Sequence, residues 1–178
     1  MLKAATILAA GLVIGAAFTF AQTPKAPLSP PAHTSVTIDG KTITIDYSAP
    51  SMRGRQIFGA LVPWGQVWRT GANKATTLKT DADLNINGLR VPKGEYTLYT
   101  VPEPDQWTLI VNKQTGQWGT VYNAGQDLGR TKMTVSKPHE PIQTFTITLS
   151  KANGENDKGF LVTQWADVVA TAPFTVLK

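Results

Sequence analysis

The residues of this chain best suited to chemistry are gathered in one segment, Ser51–Ala75, which reads SMRGRQIFGALVPWGQVWRTGANKA. It holds Arg53, Arg55, Arg69, Trp64 and Trp68, and no acidic residue occurs between Asp46 and Asp81. A guanidinium presents a planar fork of donors that matches a carboxylate or phosphate, and an indole face receives a sugar ring or a cation. The combination predicts a site for an anionic small molecule or a glycan, built from Arg55, Trp68, Arg69 and Asn73. Trp118, Asp127 and Arg130, in and beside the Gly- and Asn-rich stretch from Asn112 to Gly129, are its expected partners. A structural alternative uses the same residues. The tryptophans then plug an end of the fold, and Arg69 pairs internally with a carboxylate such as Asp127.

No reaction is legible beside this site, and its catalytic residues stay unassigned. There is no GxSxG elbow, P-loop, HExxH or GxGxxG pattern. The two histidines, His33 and His139, each lie beside or near a proline and far apart in sequence, which suits exposed polar residues better than a triad or a metal centre. Asp83-x-Asn85-x-Asn87-Gly88 follows the first half of a calcium loop. The bidentate acid belongs six residues after the glycine, where Gly94 stands and Glu95 comes one position late. Neither a metal nor a cofactor is therefore expected. The pairs Asp81/Asp83 and Glu103/Asp105 read as solvated carboxylates rather than a glycosidase pair.

The amino terminus reads as an export signal. Lys3 precedes an apolar run, Ala4–Phe20, and Thr19-Phe20-Ala21 offers small residues for cleavage before Gln22. The run is short for a spanning helix and diluted by Gly11, Gly15 and Thr19, so no membrane span is expected after cleavage. Residues 1–21 are thus assigned to a signal peptide, 22–34 to a proline-rich tether and 35–178 to one domain, periplasmic or secreted. The whole chain carries 17 basic and 12 acidic residues. This modest excess is concentrated between Tyr47 and Thr80, which favours a local anion site over the extended basic surface that nucleic acid requires. No cysteine is present, which removes disulfides, thiolate nucleophiles and Cys-ligated zinc. A chain of this length buries roughly 70% of its unfolded surface, enough for a core without such links.

The elements that must position the site alternate with period two. Ile43, Ile45 and Tyr47 alternate with Thr42, Thr44 and Asp46, and Phe145, Ile147 and Leu149 with Thr144, Thr146 and Thr148. Such patterns predict half-buried strands. Asp39-Gly40 and Asn87-Gly88 stand between alternating runs and tolerate the positive φ of tight hairpins. Further strands are expected around Tyr96–Val101, Trp107–Val111, Arg130–Lys137, Gly159–Ala166 and Val168–Val176. Pro173 in the last implies an edge or a bulge. The only helical candidate is a turn or two over Gln56–Val62. The result is an all-β, antiparallel β-sandwich or distorted barrel of roughly nine to ten short strands with one short helical turn.

The runs YSAPSMRGRQIFGALVPWGQVWRTGANKAT, LRVPKGEYTLYTVP and WTLIVNKQTGQWG, followed by Asp127-x-x-Arg130, resemble a secreted bacterial family called domain of unknown function 2911. The resemblance spans about Ser29 to Trp165 and implies export and an all-β domain, with no activity attached. Lys74 departs from the family pattern, which commonly has an acidic residue after GAN. Trp64 stands where Tyr is frequent, and Arg53 where Lys is. The departure at Lys74 favours binding or structure over acid–base chemistry. The leading expectation is an exported, non-catalytic binding or envelope-associated module. A hydrolase using arginine, Asp127 and Asn73 is one alternative, and a structural domain that binds an envelope protein is the other.

Overall fold

The structure is a computed structural model that describes residues 27–178. The expected signal peptide and the first part of the tether lie outside the described residues. Eleven strands follow in chain order: β1 (Pro31–Ile38), β2 (Lys41–Ser48), β3 (Thr76–Thr80), β4 (Leu84–Ile86), β5 (Leu89–Val91), β6 (Gly94–Val101), β7 (Gln106–Asn112), β8 (Asp127–Ser136), β9 (Ile142–Lys151), β10 (Lys158–Ala166) and β11 (Val168–Val176). All pair antiparallel, in the order β1-β2-β3-β6-β7-β8-β11-β10-β9, with the β4–β5 hairpin joined to β11.

The two ends of this sheet approach each other. Leu149 N of β9 donates to Thr34 Oγ1 of β1 at 3.1 Å. Just beyond β2, Phe145 N donates to Pro50 O at 2.8 Å and Met52 N to Gln143 O at 2.7 Å. The sheet is therefore a nearly closed barrel, which shields most of the unpaired strand edge that an open sheet would expose.

The alternation seen in the sequence becomes the barrel interior. Ile43, Ile45, Tyr47, Phe145, Ile147 and Leu149 are all buried, while their threonine neighbours are partly or fully exposed. Trp107 and Trp165 are among the largest fully buried side chains. Burying one such apolar group contributes about 1.5–3 kcal/mol relative to leaving it in water. Both expected tight turns form: Asp39 and Gly40, like Asn87 and Gly88, have positive φ. Pro173 lies where β11 passes from β8, paired through Thr171, to β4, paired from Phe174, so its missing N–H leaves no ladder bond unmade.

Two expectations need correction. The first strand begins at Pro31, inside the stretch assigned to the tether. Proline is admissible as the first residue of an edge strand, and Ala32, Thr34 and Val36 are half-buried against the barrel. The second concerns Gln56–Val62, which is a tight loop rather than a helical turn. Gly59 N donates to Val62 O, Val62 N donates to Ile57 O, and Gly59 sits at φ +80°. A side chain at Gly59 would strike Trp64 Nε1, so only glycine lets Trp64 fold back there. The single 3-10 turn among the described residues is Ala124–Gln126.

β6 and β7 are buried on both faces. Leu98, Leu109 and Val111 belong to the interior, whereas Tyr99 and Ile110, at 1% and 0% exposure, alternate with them on the opposite face. The loop of residues 113–126 covers that outer face, held by Tyr99 Oη donating to Val121 O at 2.7 Å and Asn112 Nδ2 to Asn123 O at 2.9 Å. It brings Trp118 and Gly119 to the Ser51–Ala75 segment.

Candidate functional site

The Ser51–Ala75 segment follows an irregular, hydrogen-bonded course. Arg53, Thr70 and Asn73 all have positive φ, at 51°, 52° and 57°. Left-handed backbone at non-glycine residues is uncommon and persists where surrounding contacts enforce it. Those contacts are visible. Thr70 Oγ1 donates to Thr100 Oγ1, Asn73 Nδ2 donates to Ser29 O at 3.2 Å, and Arg53 Nη2 donates to Leu28 O.

Trp68 is the structural keystone. Trp68 N and O exchange hydrogen bonds with Thr100. Its ring lies 5.9 Å from Trp165, stacked, and 5.1 Å and 6.1 Å from Phe145 and Trp107, edge-on. Phe58 touches this cluster and carries Trp64 on its outer side, stacked at 5.7 Å. The two tryptophans therefore communicate through Phe58 instead of meeting on one helical face.

Arg55, Trp68 and Arg69 line one pocket of about 420 Å³, together with Tyr99, Tyr122 and Trp165. No aspartate or glutamate lines it. Arg55 is held by backbone carbonyls, its Nε donating to Met52 O at 2.9 Å and its Nη2 to Ser51 O at 2.7 Å. Carbonyls orient a guanidinium without cancelling its charge. Arg69 packs its stem on Gly119 and has no carboxylate partner among the described residues. Arg53, Arg55 and Arg69 all lack one, whereas Arg90 and Arg130, the other two arginines, each pair with an aspartate.

The internal Arg69–Asp127 pair offered by the structural reading does not form. Asp127 is committed elsewhere: Oδ2 accepts from Tyr122 Oη at 2.7 Å and from Arg130 Nη2 at 2.9 Å, and Oδ1 accepts from Asn112 at 2.9 Å. Tyr122 Oη in turn accepts from Arg130 Nη2 at 2.7 Å. Burial, then the hydrogen bond to Asp127, pushes the Tyr122 phenol above its ordinary value, and burial does the same for Tyr99. Asp127 and Arg130 thus stand behind the pocket wall and brace Tyr122 rather than lining the pocket themselves.

Asn73 and Trp118 fall on the far side of a short ridge. Gly119 N donates to Asn73 O at 2.9 Å and Ala75 N to Gln117 O at 3.2 Å, with Lys74 opposite Trp118. Gly71, Ala72, Gly119 and Thr120 face the first pocket, while Asn73, Lys74, Ala75, Gln117 and Trp118 line a second one of about 510 Å³. The predicted residues are therefore split. Arg55, Trp68 and Arg69 converge, Asp127 and Arg130 support from behind, and Asn73 and Trp118 open on the second pocket.

Sequence reasoning missed Tyr99, Tyr122 and Trp165 as pocket residues. Tyr99 and Trp165 read only as strand positions. Tyr122 carried one usable signal, its place between Trp118-Gly119 and Asp127 in a loop too polar to bury a lone aromatic without a partner.

Residues 29–174 match the profile of a family described as "Protein of unknown function (DUF2911)". No curated protein and no solved structure matches the chain.

Proposed function

The chain belongs to the DUF2911 family, and we propose that this member is an exported, non-catalytic binding module whose Arg55–Arg69 pocket takes a small anionic ligand. One observation carries the reading: two arginines open on one pocket whose wall holds no carboxylate. A guanidinium pair left without an internal counter-charge favours an external one. Trp68 gives the pocket an apolar wall that suits a ligand with a ring or hydrocarbon body beside its charge. The hydrolase reading draws no support from this arrangement. Asp127 is spent on Tyr122, Arg130 and Asn112, and Asn73 lines the other pocket. Export rests on the sequence pattern at Lys3–Ala21, and sequencing the amino terminus of protein recovered from the periplasm should return Gln22.

The binding test is a calorimetric titration with glucuronate and inorganic phosphate, with glucose as the uncharged control. Binding of either anion but not of glucose is expected. Arg69→Gln and Arg55→Gln should each weaken it roughly tenfold or more, the usual worth of a hydrogen bond to a charged group. Folded variants that bind both anions as the parent does would sink the proposal.

A further inference from the structure

Seven large apolar side chains are exposed among the described residues, and five of them lie at or beside the first pocket. Leu61 and Val67, at 48% and 38% exposure, line it directly. Leu28, Trp64 and Val121 are each the immediate chain neighbour of a lining residue: Ser29, Pro63 and Thr120. Of the other two, Trp118 opens on the second pocket across the ridge and Phe160 is exposed elsewhere. Scattered apolar exposure is ordinary on a protein surface, but concentration around one opening marks an interaction site.

The same opening carries Arg55 and Arg69, and Arg53 donates to Leu28 O beside it; no carboxylate neutralises any of the three, in a stretch of chain without an acidic residue. A soluble sugar acid would use the arginines and leave the apolar lip in water. A surface with anionic headgroups over hydrocarbon would use both. Tryptophan is the side chain best matched to such an interface, because its ring is amphipathic, and cations beside it gain from the negative surface potential.

We infer that the rim of the Arg55–Arg69 pocket is a docking face for an anionic lipid surface, with a headgroup phosphate entering the pocket between the arginines. This rests on the anion-binding reading above and names where that anion sits. Leu61, Trp64 and Val67, within seven residues of chain, enter the headgroup boundary, and Arg55 and Arg69 hold phosphates. Contact is peripheral, made by loop side chains and not by a spanning segment.

The test is co-sedimentation of the protein recovered after export with vesicles of phosphatidylcholine alone or mixed with phosphatidylglycerol. Binding should need phosphatidylglycerol and fall with added salt. Arg55→Gln should lower the partition coefficient about fivefold, the worth of one cation near such a surface. The double variant Leu61→Ser/Val67→Ser should lower it at least as far at unchanged salt dependence, while Phe160→Ser should leave it alone. Tryptophan emission should shift to the blue on binding. Absence of binding to phosphatidylglycerol vesicles overturns the inference, as does an equal loss in the Phe160 and Leu61/Val67 variants. If phosphate or glucuronate still titrates into the pocket while vesicles do not bind, the docking face falls and the anion site stands. If neither binds, both fall.

Discussion

Gly119 is pressed against Arg69. A methyl group at residue 119 would lie 2.7 Å from Arg69 Cδ and 2.8 Å from Asn73 O. The first neighbour is a side chain able to move, but the second is backbone and part of the ridge between the two pockets. Gly119→Ala should therefore destabilise the fold by about 1–3 kcal/mol, the range of a forced overpacking. It should also displace Arg69 and weaken anion binding. Urea denaturation and the glucuronate titration check the two effects separately. Unchanged stability would mean that the ridge yields more readily than its hydrogen bonds imply.

Trp64 and Trp68 separate cleanly in their expected energetic worth. Trp68 sits in a cluster with Phe58, Trp107, Phe145 and Trp165, and Trp68→Ala should cost roughly 3–5 kcal/mol. Trp64 is stacked on Phe58 alone and 38% exposed, so Trp64→Ala should cost only about 0.5–1.5 kcal/mol. Chemical denaturation of the two variants gives the comparison, and equal losses would contradict the packing described.

Acid stability has one clear contributor. The Lys93 backbone N–H, then the Arg90 guanidinium, hold the Asp83 carboxyl below its ordinary value of 3.8. A group whose native pKa is lowered binds more protons when unfolded. Its stabilisation is complete above the ordinary value and is lost as pH falls through the native one. Asp83→Asn should flatten that part of the stability–pH profile while leaving neutral-pH ligand binding intact. A profile with undiminished acid slope would show that other carboxylates carry it.

Tyr122 behaves in the opposite sense. Burial and Asp127 raise its phenol pKa, so its contribution is full below the ordinary phenol range and fades as pH rises through the native value. Tyr122→Phe removes the hydrogen bonds to Asp127 and from Arg130, at a cost of about 1–3 kcal/mol. The variant should also lose part of the alkaline decline. Tyrosinate absorbance during a pH titration, compared with that of Tyr122→Phe, reads the phenol, and an unshifted Tyr122 would contradict its bonding to Asp127 and Arg130.

The strands were legible because period two is a local signal. Ile43, Ile45 and Tyr47 announce a buried face wherever their partners lie, and Asn87-Gly88 announces its turn. The site was half legible for a related reason. Arg55, Trp68 and Arg69 lie on one continuous loop, so their convergence needed no long-range pairing. Asn73 and Trp118 were placed with them because sequence shows proximity but not the side of a ridge. Eight residues separate Trp118 from Asp127, and only the course of the loop of residues 113–126 decides that one faces the second pocket and the other braces Tyr122. The gathering of Tyr99 and Tyr122 depended on that loop folding over the outside of β6 and β7, which no periodicity encodes. The Gln56–Val62 loop misled for a specific reason: its apolar spacing fits a helix, and one glycine at φ +80° reverses the chain.

Trp68 and Trp165 both line the pocket and both belong to the stacked centre of the aromatic cluster. The floor on which a ligand would rest is thus the same object as the heart of the barrel. An occupant needs no added dye to be seen, because it would lie against two coupled indoles whose emission and near-ultraviolet dichroism depend on their surroundings. The molecule carries its own optical gauge of occupancy, and the same signal follows the collapse of the barrel when it unfolds.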